Sequence, residues 1–252
     1  MTPNRRRRSL LAVGAVLLLI AAGCSGDDAE DAIDAAPTAT DVVEGEPTPD
    51  VATEVVRFTT DDGEQLEATV YGDGPRGVVL AHMRSRDRST WDGFARAAAA
   101  EGLHVLAFDF RGYGGSSGER DTALDTDILA AVDVLASRGS TRIVVAGASM
   151  GATAAINVAS RAELAGVVSL SAPADFGALQ ALDVAGDVGE PILIVTAEGD
   201  QPYADTAVAL AEAAPVSQLQ ILGGRAHGTN LFADHDAVLT ASMLSFIIDR
   251  LG

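Results

Sequence analysis

The chain has 252 residues, of which 48% are hydrophobic and 4% aromatic, and 36 acidic residues against 17 arginines give it a formal charge of −19. This composition is typical of a globular protein, and its negative field repels phosphate backbones, so we exclude nucleic-acid binding from the expected functions. The single cysteine excludes an intrachain disulfide and a cysteine-based metal cluster.

The N-terminus has the pattern of an export signal. Four arginines at 5–8 precede an apolar run at 10–22, and Gly23 and Cys24 follow directly after Ala22. This run is shorter than the roughly 20 residues of a membrane span, so we predict a cleaved signal peptide at residues 1–23. The segment resembles a bacterial lipoprotein signal, which implies that Cys24 is lipidated and that the protein is exported and anchored on the extracytoplasmic side of the cell membrane. Arg7 and Arg8 also fit a twin-arginine motif, so the twin-arginine and general secretory routes both stay open.

Residues 24–52 are rich in Asp, Glu, Ala, Thr and Pro and contain few large apolar side chains. Such a segment cannot offset the entropy lost on ordering, so we predict an acidic disordered tether. A tether of this kind suits a soluble domain held away from a membrane, although a tolerated disordered tail fits the composition equally well. The folded domain is predicted at residues 53–252.

From residue 54 onward, apolar strands alternate with amphipathic helices. The predicted strands are residues 55–58, 65–71, 78–81, 105–108, 142–146, 166–170, 192–196 and 218–222. The predicted helices are residues 90–101, 122–137, 149–160, a short one near 175–182, 203–214 and 230–251. Asp62-Gly63 between the first two strands indicates a hairpin, and the continuous apolar strands that follow indicate an α/β fold with a mostly parallel sheet covered on both faces.

The predicted strand 142–146 leads directly into Gly147-Ala148-Ser149-Met150-Gly151 and then into a helix. This is the G-x-S-x-G pattern in a strand-turn-helix context, in which glycines allow a sharp turn that presents the serine hydroxyl above the sheet. We therefore predict Ser149 as a nucleophile.

A serine nucleophile needs a base to accept its proton. His227 lies in a glycine-containing loop between the last strand and the last helix, where it can return to Ser149, and we predict it as the general base. His104 opens a strand and is expected to be a surface or packing residue. His235 falls on the exposed side of the last helix, and for His82 a structural role and a role near the substrate both stay open.

The imidazole in turn needs a carboxylate that orients it and stabilises its charged form. The strand 192–196 ends in a turn that carries Glu198 and Asp200. Asp200 fits best because the turn bends it back toward His227, with Glu198 as the alternative.

The order Ser149, Asp200, His227, together with the Asp-x-Arg-Gly-x-Gly motif that begins at Asp109, resembles the α/β-hydrolase superfamily over residues 54–251. The resemblance implies an eight-stranded, mostly parallel sheet with helices on both faces and an N-terminal β-hairpin. It also implies that the backbone N–H groups of Arg84 and Met150 stabilise an oxyanion, with the amide of Met83 as the alternative to Arg84. Residues 171–191 leave room only for a short helix, so we expect no cap domain and an open site.

The expected function is hydrolysis of an ester or thioester through an acyl-serine intermediate. A serine peptidase or acyltransferase of the same fold stays open, as does a lipid-anchored binding protein without activity. We expect a small acyl substrate, a monomer, no cofactor and no metal. Arg84, Arg86 and Arg88 follow the third strand, where they either contact an acidic group of the substrate or form a solvated loop.

Overall fold

The computed structural model describes residues 51–252. The predicted signal peptide, the predicted lipidation site Cys24 and the predicted tether up to residue 50 lie outside the described residues. Ten strands are present in the described part: β1 Thr53–Thr59, β2 Gln65–Tyr71, β3 Arg76–Ala81, β4 His104–Phe108, β5 Arg142–Ala148, β6 Gly166–Leu170, β7 Asp175–Phe176, β8 Leu179–Gln180, β9 Ile192–Ala197 and β10 Ser217–Leu222. The α-helices there are α1 Asp92–Ala100, α2 Leu124–Ser137, α3 Met150–Ala159, α4 Ala181–Val184, α5 Tyr203–Ala213 and α6 Leu231–Leu251.

Eight of these strands form one sheet in the order β1-β2-β4-β3-β5-β6-β9-β10. The pairs β1–β2 and β2–β4 are antiparallel, and the remaining neighbours are parallel. The central strands β4 and β6 are buried at every position, as their continuous apolar sequences predicted. The predicted hairpin is present: Gly63, with φ of 95°, closes the turn between β1 and β2.

Helices cover both faces of the sheet. Residues of α2, α3 and α5 pack on one face, and residues of α1 and α6 pack on the other. All ten residues of α3 are buried, and its small side chains, mainly alanine, let the helix lie close to the strands. The position of α3 matters for function because its first turn follows Ser149.

The short helix predicted near residues 175–182 was wrong. Residues Asp175–Phe176 and Leu179–Gln180 form a small two-stranded hairpin, which is followed by one α-helical turn, α4, and a 3-10 turn at Ala185–Asp187. Gly177 adopts φ of 60°, a left-handed conformation that closes the hairpin and interrupts a right-handed helix.

By its length and composition alone, the last helix, α6, could cross a membrane, since its most apolar stretch has a mean hydropathy of 1.4. In the structure one side of α6 packs on the sheet through Leu239, Met243 and Ile247. The helix bends at His235, whose φ of −139° is not helical. The Nε2–H of His235 donates a hydrogen bond to the carbonyl oxygen of Gly223 at 2.8 Å, so this half-exposed side chain ties the bend to the loop after β10.

Candidate active site

The three side chains predicted for the triad are in contact at the carboxyl ends of the parallel strands. His227 Nε2 lies 2.8 Å from Ser149 Oγ, and His227 Nδ1 lies 3.1 and 3.0 Å from the two carboxylate oxygens of Asp200. Because a carboxylate only accepts, Nδ1 carries the proton and Nε2 is left free to accept the serine proton. Asp200 is 6% exposed and Ser149 is 9% exposed, so the contacts that these two side chains make with His227 are largely shielded from water.

Local backbone geometry presents Ser149 at the turn between β5 and α3. Its φ of 49° and ψ of −117° are unusual for a residue with a side chain. A Cβ atom on Gly147 would lie 2.3 Å from the carbonyl oxygen of Gly151, and one on Gly151 would lie 2.5 Å from that of Ala81. Both glycines are therefore required for the close crossing of strand and helix, as the sequence predicted.

The acid lies in the turn after β9. The backbone N–H of Asp200 donates to Ala197 O, and Asp200 O accepts from the N–H of Ala204, which fixes the turn at the start of α5. Glu198, the alternative acid, is exposed, and its amide pairs with Leu222 O of β10. The carboxylate in contact with His227 is therefore that of Asp200.

The backbone predicted to hold an oxyanion lies next to Ser149. The chain after β3 passes so close to the first turn of α3 that a Cβ on Gly151 would lie 2.8 Å from His82 O. Within residues 51–252, none of the loop and side-chain hydrogen bonds uses the backbone N–H of Met83, Arg84 or Met150. All three amides are thus available to a ligand, and their roles stay predictions.

Two contacts that position His227 were not anticipated from the sequence. The ring centroid of Tyr203, the first residue of α5, lies 4.2 Å from that of His227. The hydroxyl of Ser171 accepts a hydrogen bond from the N–H of Gly228 at 3.1 Å, which anchors the residue after the histidine. Ser171 has φ of 52°. The one sequence signal for its contact with Gly228 was the serine's position directly after β6.

Met83 fills the space beneath the histidine loop. It is 6% exposed, and its sulfur lies 3.6 Å from the hydroxyl of Thr229. A Cβ on Gly228 would lie 2.7 Å from the same sulfur, and Gly228 has φ of 56°. Met83 therefore packs against the loop that carries His227.

His82 is a structural residue. It is fully buried, its Nδ1–H donates to Met83 O at 2.9 Å, and its Nε2 accepts from the N–H of Phe110 at 3.0 Å. Because Nε2 accepts a hydrogen bond, the imidazole is neutral, and burial, which lowers the pKa of His82, favours this form. His104 is also buried and pairs through Nδ1 with Ser140 Oγ at 2.9 Å, consistent with a packing role.

Of the three arginines after β3, Arg88 belongs to the fold and not to a solvated loop. Its guanidinium pairs with Glu67 at 2.6 Å and with the fully buried Asp109. Asp109 also accepts from the N–H of Gly115, so it joins the loop after β4 to the segment after β3. Arg84 pairs with Asp121 at 2.7 Å, and its side chain is 62% exposed.

Comparison with known proteins agrees with this architecture. A family profile described as "Alpha/beta hydrolase family" matches residues 77–188. Two uncharacterised proteins from two strains of Mycobacterium tuberculosis are each 35% identical over 109 residues, which are 40% of this chain and 38% of the relative. The matched stretch therefore spans well under half the length of these curated relatives.

Solved structures match over most of the described domain. The Pyrococcus furiosus esterase Pf2001 superimposes with a TM-score of 0.69 at 20% identity, over 80% of this chain and 92% of that one. A CIB-like hydrolase from Thermoplasma acidophilum gives 0.66 at 20% identity, over 78% of this chain and 98% of that one. The esterase RhEst1 from Rhodococcus gives 0.66 at 16% identity, over 79% and 99%. At these identities the likeness concerns the fold.

Proposed function

We propose that this chain, which has the α/β-hydrolase fold, belongs to the superfamily of that name, a proposal that the family match and the structural matches support. We propose that the protein is a serine hydrolase that cleaves an ester or thioester through an acyl-serine intermediate. The observation that carries the proposal is the unbroken chain of contacts from Ser149 through His227 to Asp200. The names of the neighbours, several of them esterases or hydrolases, favour the same reaction class.

In the proposed reaction, Ser149 Oγ attacks the carbonyl carbon of the substrate while His227 Nε2 takes the hydroxyl proton. Asp200 stabilises the imidazolium that forms, and the N–H of Met150 with that of Met83 or Arg84 donates to the oxyanion. The tetrahedral intermediate then expels the alcohol or thiol, which receives the proton from His227. A water molecule, deprotonated by His227 in turn, attacks the acyl-serine, and His227 returns this proton to the leaving Ser149 Oγ as the carboxylic acid is released.

The test is labelling of the full-length protein with a fluorophosphonate, which reacts with activated serines, together with hydrolysis of a p-nitrophenyl ester and a thioester. Wild type should be labelled and active, whereas Ser149→Ala and His227→Ala should lose both signals. Ser137→Ala, an exposed serine at the end of α2, is the matched control and should behave as wild type. A Ser149→Ala variant that keeps its activity would refute the acyl-serine mechanism.

The same measurements separate the alternatives. A labelled protein that transfers its acyl group to an added alcohol or cleaves a peptide substrate more rapidly than the ester would be the acyltransferase or peptidase predicted as alternatives. A folded wild-type protein that takes up no fluorophosphonate would be the binding lipoprotein.

We further propose that the hydrolase is exported and anchored through a lipid on Cys24, a prediction supported by the sequence pattern at residues 1–24. Growth with an alkyne fatty acid, followed by cell fractionation, tests it. Wild type should carry the label and sediment with membranes. Cys24→Ala should lose both properties, and retention of either would contradict anchoring at this residue.

A further inference from the structure

A pocket of about 360 Å³ lies between the segment after β3 and the loop after β4. We call it the arginine pocket. Its lining includes Ser85, Arg86, Asp87, Ser89, Tyr113 and Arg120. Guanidinium and hydroxyl groups dominate this set, which gives it the character of a site for a polar anion.

The two arginines of the pocket have no carboxylate partner among residues 51–252. Seven of the 13 arginines described there form an ion pair with Asp or Glu. Arg120 donates only to the carbonyl oxygen of Gly112, at 2.7 Å, and Arg86 has no side-chain partner in this part of the chain. In a chain with about twice as many acidic as basic residues, two such guanidiniums in one pocket leave an anion-binding capacity unused.

The acidic groups nearby are already engaged. The carboxylate of Asp87 accepts from the N–H and the hydroxyl of Ser89 at 2.9 and 2.5 Å. Asp121 accepts from Arg84 and from the hydroxyl of Tyr113 at 2.6 Å. The lining thus carries two guanidiniums without an ion pair, those of Arg86 and Arg120, and one carboxylate, that of Asp87. This balance favours a singly charged carboxylate as ligand over a doubly charged phosphate, which Asp87 would repel more strongly.

The arginine pocket adjoins the backbone expected to hold the oxyanion. The N–H of Arg86 donates to Met83 O at 3.2 Å, and Ser85 between them has φ of 63°, so the chain turns sharply after Met83. On the other side, the guanidinium of Arg120 stacks 4.7 Å from the ring centroid of Tyr113. The ring of Tyr113 in turn packs edge-on against His82, the residue before Met83, at 5.0 Å.

We infer that Arg86 and Arg120 bind a carboxylate carried by the substrate, so that the enzyme prefers esters whose acyl group ends in a carboxylate. This inference rests on the proposed function of Ser149 and deepens it by naming the substrate class. The guanidiniums act as specificity determinants and take no part in proton transfer.

The test compares how the full-length protein hydrolyses two p-nitrophenyl esters that differ in the end of the acyl group. One is the half-ester of adipic acid, and the other is its neutral counterpart, in which a methyl ketone replaces the carboxylate. Wild type should show a kcat/KM about ten-fold higher for the anionic ester after spontaneous hydrolysis is subtracted, and added salt should reduce this ratio. Arg86→Gln and Arg120→Gln should each lower the ratio by lowering kcat/KM for the anionic ester, and the double variant should abolish the preference.

Arg76→Gln is the matched control. Its guanidinium also lacks a carboxylate partner in residues 51–252, donating to the carbonyl oxygens of Glu101 and Gly102, but it lies at the start of β3, at the opposite end of the strand. This variant should keep the wild-type ratio. Equal kcat/KM for the two esters in wild type, or a preference that survives in the double variant, would overturn the inference while leaving the serine hydrolase intact. Loss of the proposed function itself would appear differently, as no Ser149-dependent hydrolysis of either ester.

Discussion

The ring of Tyr203 packs against the imidazole of His227 in a tilted arrangement, with the two centroids 4.2 Å apart and the planes inclined by 49°. Tyr203 begins α5 three residues after Asp200, so one short segment supplies both the carboxylate and the aromatic surface that hold the imidazole. The histidine is thereby restrained along its edge by Asp200 and on its face by Tyr203.

We predict that Tyr203→Ala lowers kcat/KM about five-fold, because an aromatic contact of this kind contributes about 1 kcal/mol to the preferred ring orientation. Tyr203→Phe keeps the ring and should keep the activity. The measurement is ester hydrolysis across pH, together with the rate of fluorophosphonate labelling. Equal losses in both variants would mean that the hydroxyl, and not the ring, is important.

Gly147→Ala should unfold more easily than wild type by about 2 to 3 kcal/mol, because the added methyl group would overlap the backbone of Gly151 at the crossing of β5 and α3. Gly93→Ala is the matched control: it lies in α1 with open space around its Cβ position, and should stabilise by about 0.5 kcal/mol. Urea denaturation of both variants tests this. A Gly147→Ala variant as stable as wild type would show that the strand and helix can separate without cost.

Stability should fall as the pH falls below about 6.5, with His82 contributing to the slope. Burial lowers its pKa in the folded state, partly opposed by Asp109 and Asp87, so the unfolded chain binds a proton at a pH where the folded chain does not. The stability is thus fully present above the unfolded pKa and is lost as the pH drops toward the folded one. One such proton gives a slope of at most about 1.4 kcal/mol per pH unit.

The check is the free energy of unfolding of His82→Gln, measured between about pH 5 and about pH 8. Because this variant lacks the titrating group, its stability should change less steeply with pH than that of wild type. Burial also lowers the pKa of His104, so His104→Gln should flatten the curve as well and the double variant most of all. A His82→Gln protein with the wild-type slope would contradict the prediction.

The two carboxylates around Arg111 should differ sharply in importance. Asp127 is fully buried and accepts from the backbone N–H, Nε and Nη2 of Arg111 at 2.9, 2.9 and 2.7 Å. Asp62 binds the same guanidinium at 2.7 Å, but its side chain is 46% exposed. Asp127→Asn should cost about 3 kcal/mol because it leaves a mostly buried arginine short of its partner, whereas Asp62→Asn should cost much less because water screens an exposed pair. Equal losses in thermal or urea unfolding would contradict this reasoning.

Much of the fold could be predicted because its signals are local. The eight strands of the sheet were located from apolar runs. The hairpin at Gly63 and the sharp turn at Ser149 were located from glycines at positions that require them. The hairpin at residues 175–180 was missed because its four paired residues are too few to show a periodicity, and alanine and leucine nearby favour a helix.

The sequence by itself determined the order of elements and the residue types available at each strand end, which sufficed to pick out Ser149, Asp200 and His227. Only the tertiary structure decided which side chains touch. Ser171 meets Gly228 across 57 positions of sequence, and Arg111 meets Asp62 across 49. Such contacts arise from the packing of distant elements, and neither local propensity nor periodicity carries information about them.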